Sequence, residues 1–155
     1  MKKNKINSGV TLMELLIVIA IIGMLATVVI VMINPRQQLA KARDTEREAD
    51  VIAVLTVVLQ YSAEHSGTLP DTDGDPATNS FPTSETCIGT GVGCFDLASA
   101  GEVGDTIVPN YLASLPSDSK DGNPPSDIGY TIWVDANNNL TASASGETRE
   151  ISVTR

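Results

Sequence analysis

Residues 7–35 have the sequence NSGVTLMELLIVIAIIGMLATVVIVMINP, in which aliphatic side chains dominate. The apolar run from Val10 to Ile33 is 24 residues long. As a helix it would measure roughly 36 Å at about 1.5 Å per residue, enough to cross a hydrocarbon core of about 30 Å. The run therefore predicts a membrane-spanning helix, because a conventional secretory signal has a shorter apolar region followed by a small-residue cleavage site.

Glu14 is the one acidic residue inside this run. A charged side chain within lipid costs about 3 kcal/mol or more, and such residues are functional candidates by default. The residue type alone leaves two interpretations open. Either the carboxylate reaches water at the membrane interface, or it is present for a function despite its unfavourable free energy in lipid.

A short basic segment precedes the run, with Lys2, Lys3 and Lys5 followed by Ser8-Gly9. The stretch SGVTLMELLIVIAIIGMLATVV resembles the N-terminal signature of type IV pilins and type II secretion pseudopilins. Four features carry this resemblance: the basic leader, the glycine, a glutamate at the fifth position after that glycine, and an aliphatic run of spanning length. Val10 departs from the family pattern, in which phenylalanine is the most common residue at this place.

The resemblance implies specific roles for three residues. In that family a dedicated peptidase cuts after the glycine and methylates the new amino terminus, which implies cleavage between Gly9 and Val10 and N-methylation of Val10. The family glutamate pairs with the amino-terminal charge of a neighbouring subunit, so Glu14 would act in assembly. Such a pair would offset the cost of a carboxylate in lipid and fix the axial register, as one buried polar residue does in a coiled coil.

The resemblance also implies a structural subunit of a type IV pilus-like or type II secretion pseudopilus filament, closest to major pseudopilins. Its partners would be other copies of itself and related pilins, the prepilin peptidase and methyltransferase, the inner-membrane assembly platform and membrane lipid. We expect a single-pass inner-membrane protein with its C-terminal domain outside the cytoplasm, in an extracellular or periplasmic filament after assembly. The alternative is a membrane-anchored extracellular binding domain that does not polymerise.

The chain after Asp50 is strongly acidic, with three basic and fourteen acidic residues. Nucleic-acid phosphates need a basic surface, so this composition argues against nucleic-acid binding. The sequence also contains neither a glycine-rich phosphate loop nor a G-x-S-x-G motif, and we do not expect an enzyme.

We predict an α+β fold in which one long N-terminal helix packs by its second half on a small antiparallel sheet, with loops between them. This matches the pilin architecture. Residues 1–9 would be the cleaved leader and 10–34 the transmembrane and assembly helix. Residues 35–66 would continue the helix as an amphipathic segment after a kink at Pro35, because proline removes a helical hydrogen bond. Residues 67–155 would form a loop-rich region ending in the sheet.

Local patterns predict individual elements of this fold. Three strands are expected from GYTIWV, LTASAS and EISVT, whose apolar residues alternate with polar ones. A short helix is expected from Phe95 to Ala100, and Tyr111, Leu112 and Leu115 should be buried anchors. The charged start of the amphipathic segment, in which Arg43 and Arg47 can pair with acids three or four residues away, is either a solvated helix face or a surface for other subunits.

The remaining candidate residues are cysteines, acids and one histidine. We predict a disulfide between Cys87 and Cys94, which fits an extracytoplasmic location; the alternative is two reduced thiols. Two groups of acids could be calcium loops or solvated turns, since calcium prefers oxygen ligands. His65 is expected to be a capping or surface residue. The acids considered for calcium are Asp71, Asp73, Asp75, Asp118, Asp121 and Asp127.

Overall fold

The computed structural model describes residues 9–73, 80–118 and 125–155, and the chain divides after Leu39 into two units. Two α-helices come first, α1 (Leu12–Ile33) and α2 (Pro35–Glu64). A five-residue helical turn follows later at Ile107–Tyr111. The strands are β1 (Thr86–Cys87), β2 (Gly101–Glu102), β3 (Asp105–Thr106), β4 (Tyr130–Val134), β5 (Leu140–Ala144) and β6 (Ile151–Thr154).

The helix α1 is apolar around its whole circumference. It has 22 residues, a mean hydropathy of 3.2 and no buried residue in the single chain. At about 1.5 Å per residue it is roughly 33 Å long, so length and composition allow it to cross a membrane.

Between the two helices lies Asn34, which adopts a left-handed conformation with φ 43° and ψ 79°. Pro35 then begins α2, where its fixed φ suits the first turn and its missing N–H is not needed. The helix is therefore interrupted at the position where the sequence predicts a kink.

One face of α2 supplies much of the core of the second unit. Its buried aliphatic and aromatic residues recur every three or four positions, the spacing of one helical face. They join a cluster with buried side chains of the sheet. Burying one such side chain completely contributes about 1.5–3 kcal/mol. The buried apolar residues of α2 are Val51, Val54, Leu55, Val57, Val58 and Tyr61.

The main sheet is antiparallel with the strand order β1-β4-β5-β6. Tyr130 lies opposite Ala144 and Ile132 opposite Ala142, and all four are buried. The intervening Thr131 lies on the opposite face, because side chains alternate along a strand. A separate two-stranded ribbon pairs β2 with β3.

The predicted α+β class and the three C-terminal strands are confirmed, but the predicted helix from Phe95 to Ala100 is wrong. Its backbone groups are engaged elsewhere. The Phe95 carbonyl, which in a helix would accept from the Ser99 N–H, accepts from the Gly89 N–H at 3.0 Å, and the Ala98 carbonyl accepts from the Val108 N–H at 3.0 Å. These long-range bonds replace the local bonds of a helix.

The predicted anchors of the segment after Pro109 are only partly buried. Tyr111, Leu112 and Leu115 pack against the core cluster while keeping part of their surface exposed. They cover the edge of the core rather than filling it.

Candidate functional site

The first turn of α1 is held by a side-chain cap. Thr11 is the N-cap residue, and its Oγ1 accepts a hydrogen bond from the Glu14 backbone N–H at 3.2 Å. This satisfies one of the N–H groups that a helix start leaves unpaired. Glu14 therefore occupies the third helical position, where the helix dipole favours an acidic side chain.

The Glu14 carboxylate itself is exposed. Across residues 9–73, 80–118 and 125–155, no hydrogen bond or ion pair to that carboxylate is found. A carboxylate in a segment this apolar needs a cation or a route to water. The described part of the chain supplies no cation to it, which leaves water at the membrane interface or a partner outside these residues.

Gly9 and Val10 precede the helix in an irregular and exposed segment. Val10 is 73% exposed, and a side chain added at Gly9 would meet no atom within 4 Å. The peptide bond between them is therefore open to another protein.

The N-terminal segment thus combines three features: an apolar helix long enough to span a membrane, a capped helix start, and an exposed glycine three residues before that start. Residues 4–30 match the family model of the prokaryotic N-terminal methylation motif. This prepilin-type motif is the signature of type IV pilins and pseudopilins. It includes Gly9, Val10 and Glu14, and it extends into α1 as far as Ile30.

The prepilin-type motif covers 27 of the 155 residues, and it is consistent with a single-pass membrane anchor. No curated protein and no solved structure matches the chain. The part of the chain after the motif is therefore interpreted from its own geometry.

Thr11 is the residue of this site that the sequence analysis missed. The pattern Thr11-x-x-Glu14 has the spacing of a capping box, in which an N-cap threonine bonds the N–H of the third helical residue. The structure contains that half of the box. Recognising the pattern would have placed the helix start at Leu12 and shown that Glu14 lies in the first turn.

A second polar cluster joins α2 to the sheet region through Arg47, which is 2% exposed. Its Nε donates to Asp118 Oδ2 at 2.8 Å and its Nη2 to Asp118 Oδ1 at 3.0 Å. Its Nη1 donates to Asp44 Oδ1 at 2.9 Å, three residues earlier in the helix. Planar, bidentate geometry of this kind is the strongest form of an arginine–carboxylate pair.

Asp44, which is 1% exposed, also binds the turn between β5 and β6. Its carboxylate accepts the Thr148 hydroxyl and the backbone N–H groups of Glu147 and Thr148, with the two N–H bonds at 2.7 and 2.8 Å. These hydrogen bonds, led by the one from the Thr148 hydroxyl, hold the pKa of Asp44 well below its usual range. The Asp118 carboxylate likewise raises the pKa of Arg47.

This cluster corrects the interpretation of the charged start of α2. Asp44 and Arg47 are neither solvated nor available to another subunit, because both are buried against the rest of their own unit. Arg43 forms a bidentate pair with Glu147, at 2.6 and 2.7 Å. Lys41 and Glu46, by contrast, are exposed.

Calcium binding stays a prediction, because two of its six candidate acids lie outside the described residues. Asp118 already receives two N–H bonds from Arg47, and one Asp127 oxygen accepts the Gly129 N–H at 2.9 Å. Asp71 is buried while Asp73 is exposed. Within the described ranges these four acids do not gather into one group of ligands. Asp75 and Asp121 lie outside the described residues.

Cys87 and Cys94 are joined in a disulfide with an S–S distance of 2.01 Å. The bond links β1 to the segment that enters the core at Phe95. The Asp127 carboxylate lies within 4.8 Å of both sulfurs, but bonded sulfurs are not the thiolates that bind metals.

His65 lies just after α2. Its Nδ1 is 2.9 Å from the Tyr61 carbonyl oxygen, and its ring stacks on the Tyr61 ring with centroids 3.9 Å apart. Its Nε2 faces Asp105 at 3.3 Å. The histidine therefore caps the end of the helix and contacts the β2–β3 ribbon, which is a structural role.

Proposed function

We propose that this chain is a structural subunit of a type IV pilus-like or type II secretion pseudopilus filament. It is made as a membrane precursor, cleaved after Gly9 and N-methylated at Val10. The mature subunit then assembles through its N-terminal helix. The single observation that carries this proposal is the prepilin-type motif at residues 4–30, which coincides with an exposed spanning helix.

Cleavage after Gly9 would place a new amino terminus on Val10. That amine lies four residues before Glu14 in the sequence. Within one subunit the two groups belong to the same end of the helix. Between two axially shifted subunits, the amine of one copy can meet the carboxylate of the next. Such a pair offsets the cost of each charge in lipid only if both partners are present.

The state of Glu14 supports this role. Its backbone N–H is capped by Thr11, whereas its exposed carboxylate receives no contact from the described residues. A subunit waiting in the membrane would thus keep one unsatisfied charge, and assembly would satisfy it.

The proposed partners follow from the same motif. They are further copies of this chain and related pilins, a prepilin peptidase with methyltransferase activity, an inner-membrane assembly platform and lipid. The acidic second unit would lie outside the cytoplasm and form the surface of the filament.

Intact-mass measurement of the full-length gene product, extracted from membranes, tests this proposal. The expected mass begins at Val10 and includes one added methyl group. A Gly9→Val precursor should stay uncut in the membrane, because a branched side chain then replaces the glycine at the cleavage point. A wild-type protein that begins at Met1 without a methyl group would instead indicate an anchored domain that does not polymerise.

A further inference from the structure

The helix α2 carries apolar side chains on two opposite faces. The first face, which includes Val51, Val54 and Val58, is buried in the core. A helix with one covered face normally carries charged residues on the other. Here the exposed residues from Ala49 to Ala63 include no charged group. We call the following exposed set the outer stripe: Thr45, Ala49, Ile52, Thr56, Leu59 and Ala63.

The residues of the outer stripe are spaced alternately by four and three positions. This is the heptad spacing of a seam between two helices, and it runs for 19 residues, roughly 27 Å from the first to the last at about 1.5 Å per residue. Its two large side chains are substantially open, with Ile52 39% and Leu59 40% exposed.

The polar groups of the outer stripe are satisfied without solvent. The Thr45 hydroxyl donates to the Lys41 carbonyl at 3.0 Å, and the Thr56 hydroxyl donates to the Ile52 carbonyl at 2.7 Å. Covering the stripe would therefore leave neither hydroxyl without a partner, which removes the usual penalty for burying polar side chains.

Charges beside the outer stripe are complementary between two copies of this chain. In a parallel, in-register pair of helices, residues on either side of the seam face each other across it. A residue that flanks the seam on one helix faces the residue numbered five higher on the other helix. Lys41 and Glu46 have this relation. Both are exposed, and no ion pair joins either of them to another part of the described chain. A second copy of this chain would thus supply two symmetry-related Lys41–Glu46 pairs.

We propose that two copies of this chain pair through their outer stripes, in parallel and in register, while both are anchored in the membrane. The proposal rests on the membrane anchoring in the proposed function. Two copies anchored through the same helix, α1, have the same orientation across the membrane, which is the arrangement that a parallel pair needs. The stripe has only two large apolar residues, so the pairing is weak and reversible, and confinement to one membrane raises the effective concentration.

Cysteine cross-linking of the full chain in its own membranes tests this pairing. Thr56→Cys places a thiol on the stripe, while Gln60→Cys places one on an exposed position beside it. The native cysteines are already bonded to each other. A disulfide needs Cβ atoms within about 4.5 Å, so mild oxidation should give about tenfold more dimer with Thr56→Cys than with Gln60→Cys.

Charge exchange then tests the register. In the Thr56→Cys background, Lys41→Glu should lower dimer yield about threefold, because two attractive pairs become repulsive. Adding Glu46→Lys should restore the yield.

Equal cross-linking at positions 56 and 60, none at 56, or no effect of Lys41→Glu would overturn the pairing. Axially shifted copies in a filament would not join two equal positions. Protein absent from the membrane fraction would overturn the anchoring as well, whereas membrane-bound protein without the cross-link overturns the pairing alone.

Discussion

Arg47 and Asp118 lie 71 residues apart in the chain and form a buried, two-bond ion pair, with N–O distances of 2.8 and 3.0 Å. The pair joins α2 to the loop that precedes β4. Asp44 extends the same cluster to the turn between β5 and β6. The helix α2 thereby holds the loop before β4 and the turn between β5 and β6 through polar contacts. Its apolar face makes a separate contribution by packing in the core.

Replacing Arg47 with methionine should strongly destabilise the second unit. The change keeps the length of the side chain but leaves the Asp44 and Asp118 carboxylates buried without their cation. Removing one partner of a buried pair typically costs about 3–5 kcal/mol. Urea unfolding of the full chain in detergent micelles, followed by the fluorescence of Trp133, would measure the loss. Lys41→Met, at an exposed position of the same helix, should change stability by less than about 0.5 kcal/mol. Equal effects of the two substitutions would contradict the structural role of Arg47.

Asp44 should make the fold sensitive to acid. Its pKa is lowered in the folded state by the bonds from Thr148 and Glu147. Its contribution to stability is therefore complete above the unfolded pKa of about 3.9, and it is lost as pH falls through the lower folded value. Asp44→Asn should be less stable than wild type at pH 7, and the difference should shrink below about pH 4. Glu46→Gln, which alters an exposed acid, is the control. A difference for Asp44→Asn that stays constant with pH would refute this assignment.

The Cys87–Cys94 bond should contribute to stability because the core is small. Closing a loop of this size is worth about 2–3 kcal/mol. The double variant Cys87→Ser, Cys94→Ser should therefore have a free energy of unfolding lower by about 2–3 kcal/mol, measured by urea unfolding. Protein recovered from outside the cytoplasm should resist thiol labelling until a reductant is added. Full labelling of both cysteines without reductant would show that the bond is absent in the cell.

The elements that the sequence predicts are those set by local patterns. The apolar run gives α1, and alternation between Tyr130 and Val134 gives β4, since each pattern directly reports which faces are buried. The break near Pro35 follows from the chemistry of one residue. These features need no knowledge of distant contacts.

The features that the sequence could not predict depend on distant partners. Nothing near Arg47 in the sequence indicates that Asp118 will bind it, so a charged helix face was the natural interpretation. Phe95 likewise has helix-compatible neighbours, yet its carbonyl accepts from the Gly89 N–H. At the N-terminal site Thr11 is predictable from its spacing to Glu14, whereas residues 9–73, 80–118 and 125–155 contain no partner for the Glu14 carboxylate.

The most direct test of the central claim is filament assembly by Glu14→Gln, with Glu14→Leu as a second variant. Glutamine keeps the size and polarity of the side chain and removes only its charge, while Thr11 can still cap the helix. Leucine makes the segment more apolar, so membrane insertion should be as good as in wild type or better. Both variants should be cleaved after Gly9 and accumulate as processed monomer in the membrane, with few or no filaments in the sheared or sedimented fraction. Wild-type filament yield from Glu14→Gln would contradict the ion-pair account and leave Glu14 as a residue that only reaches the membrane interface.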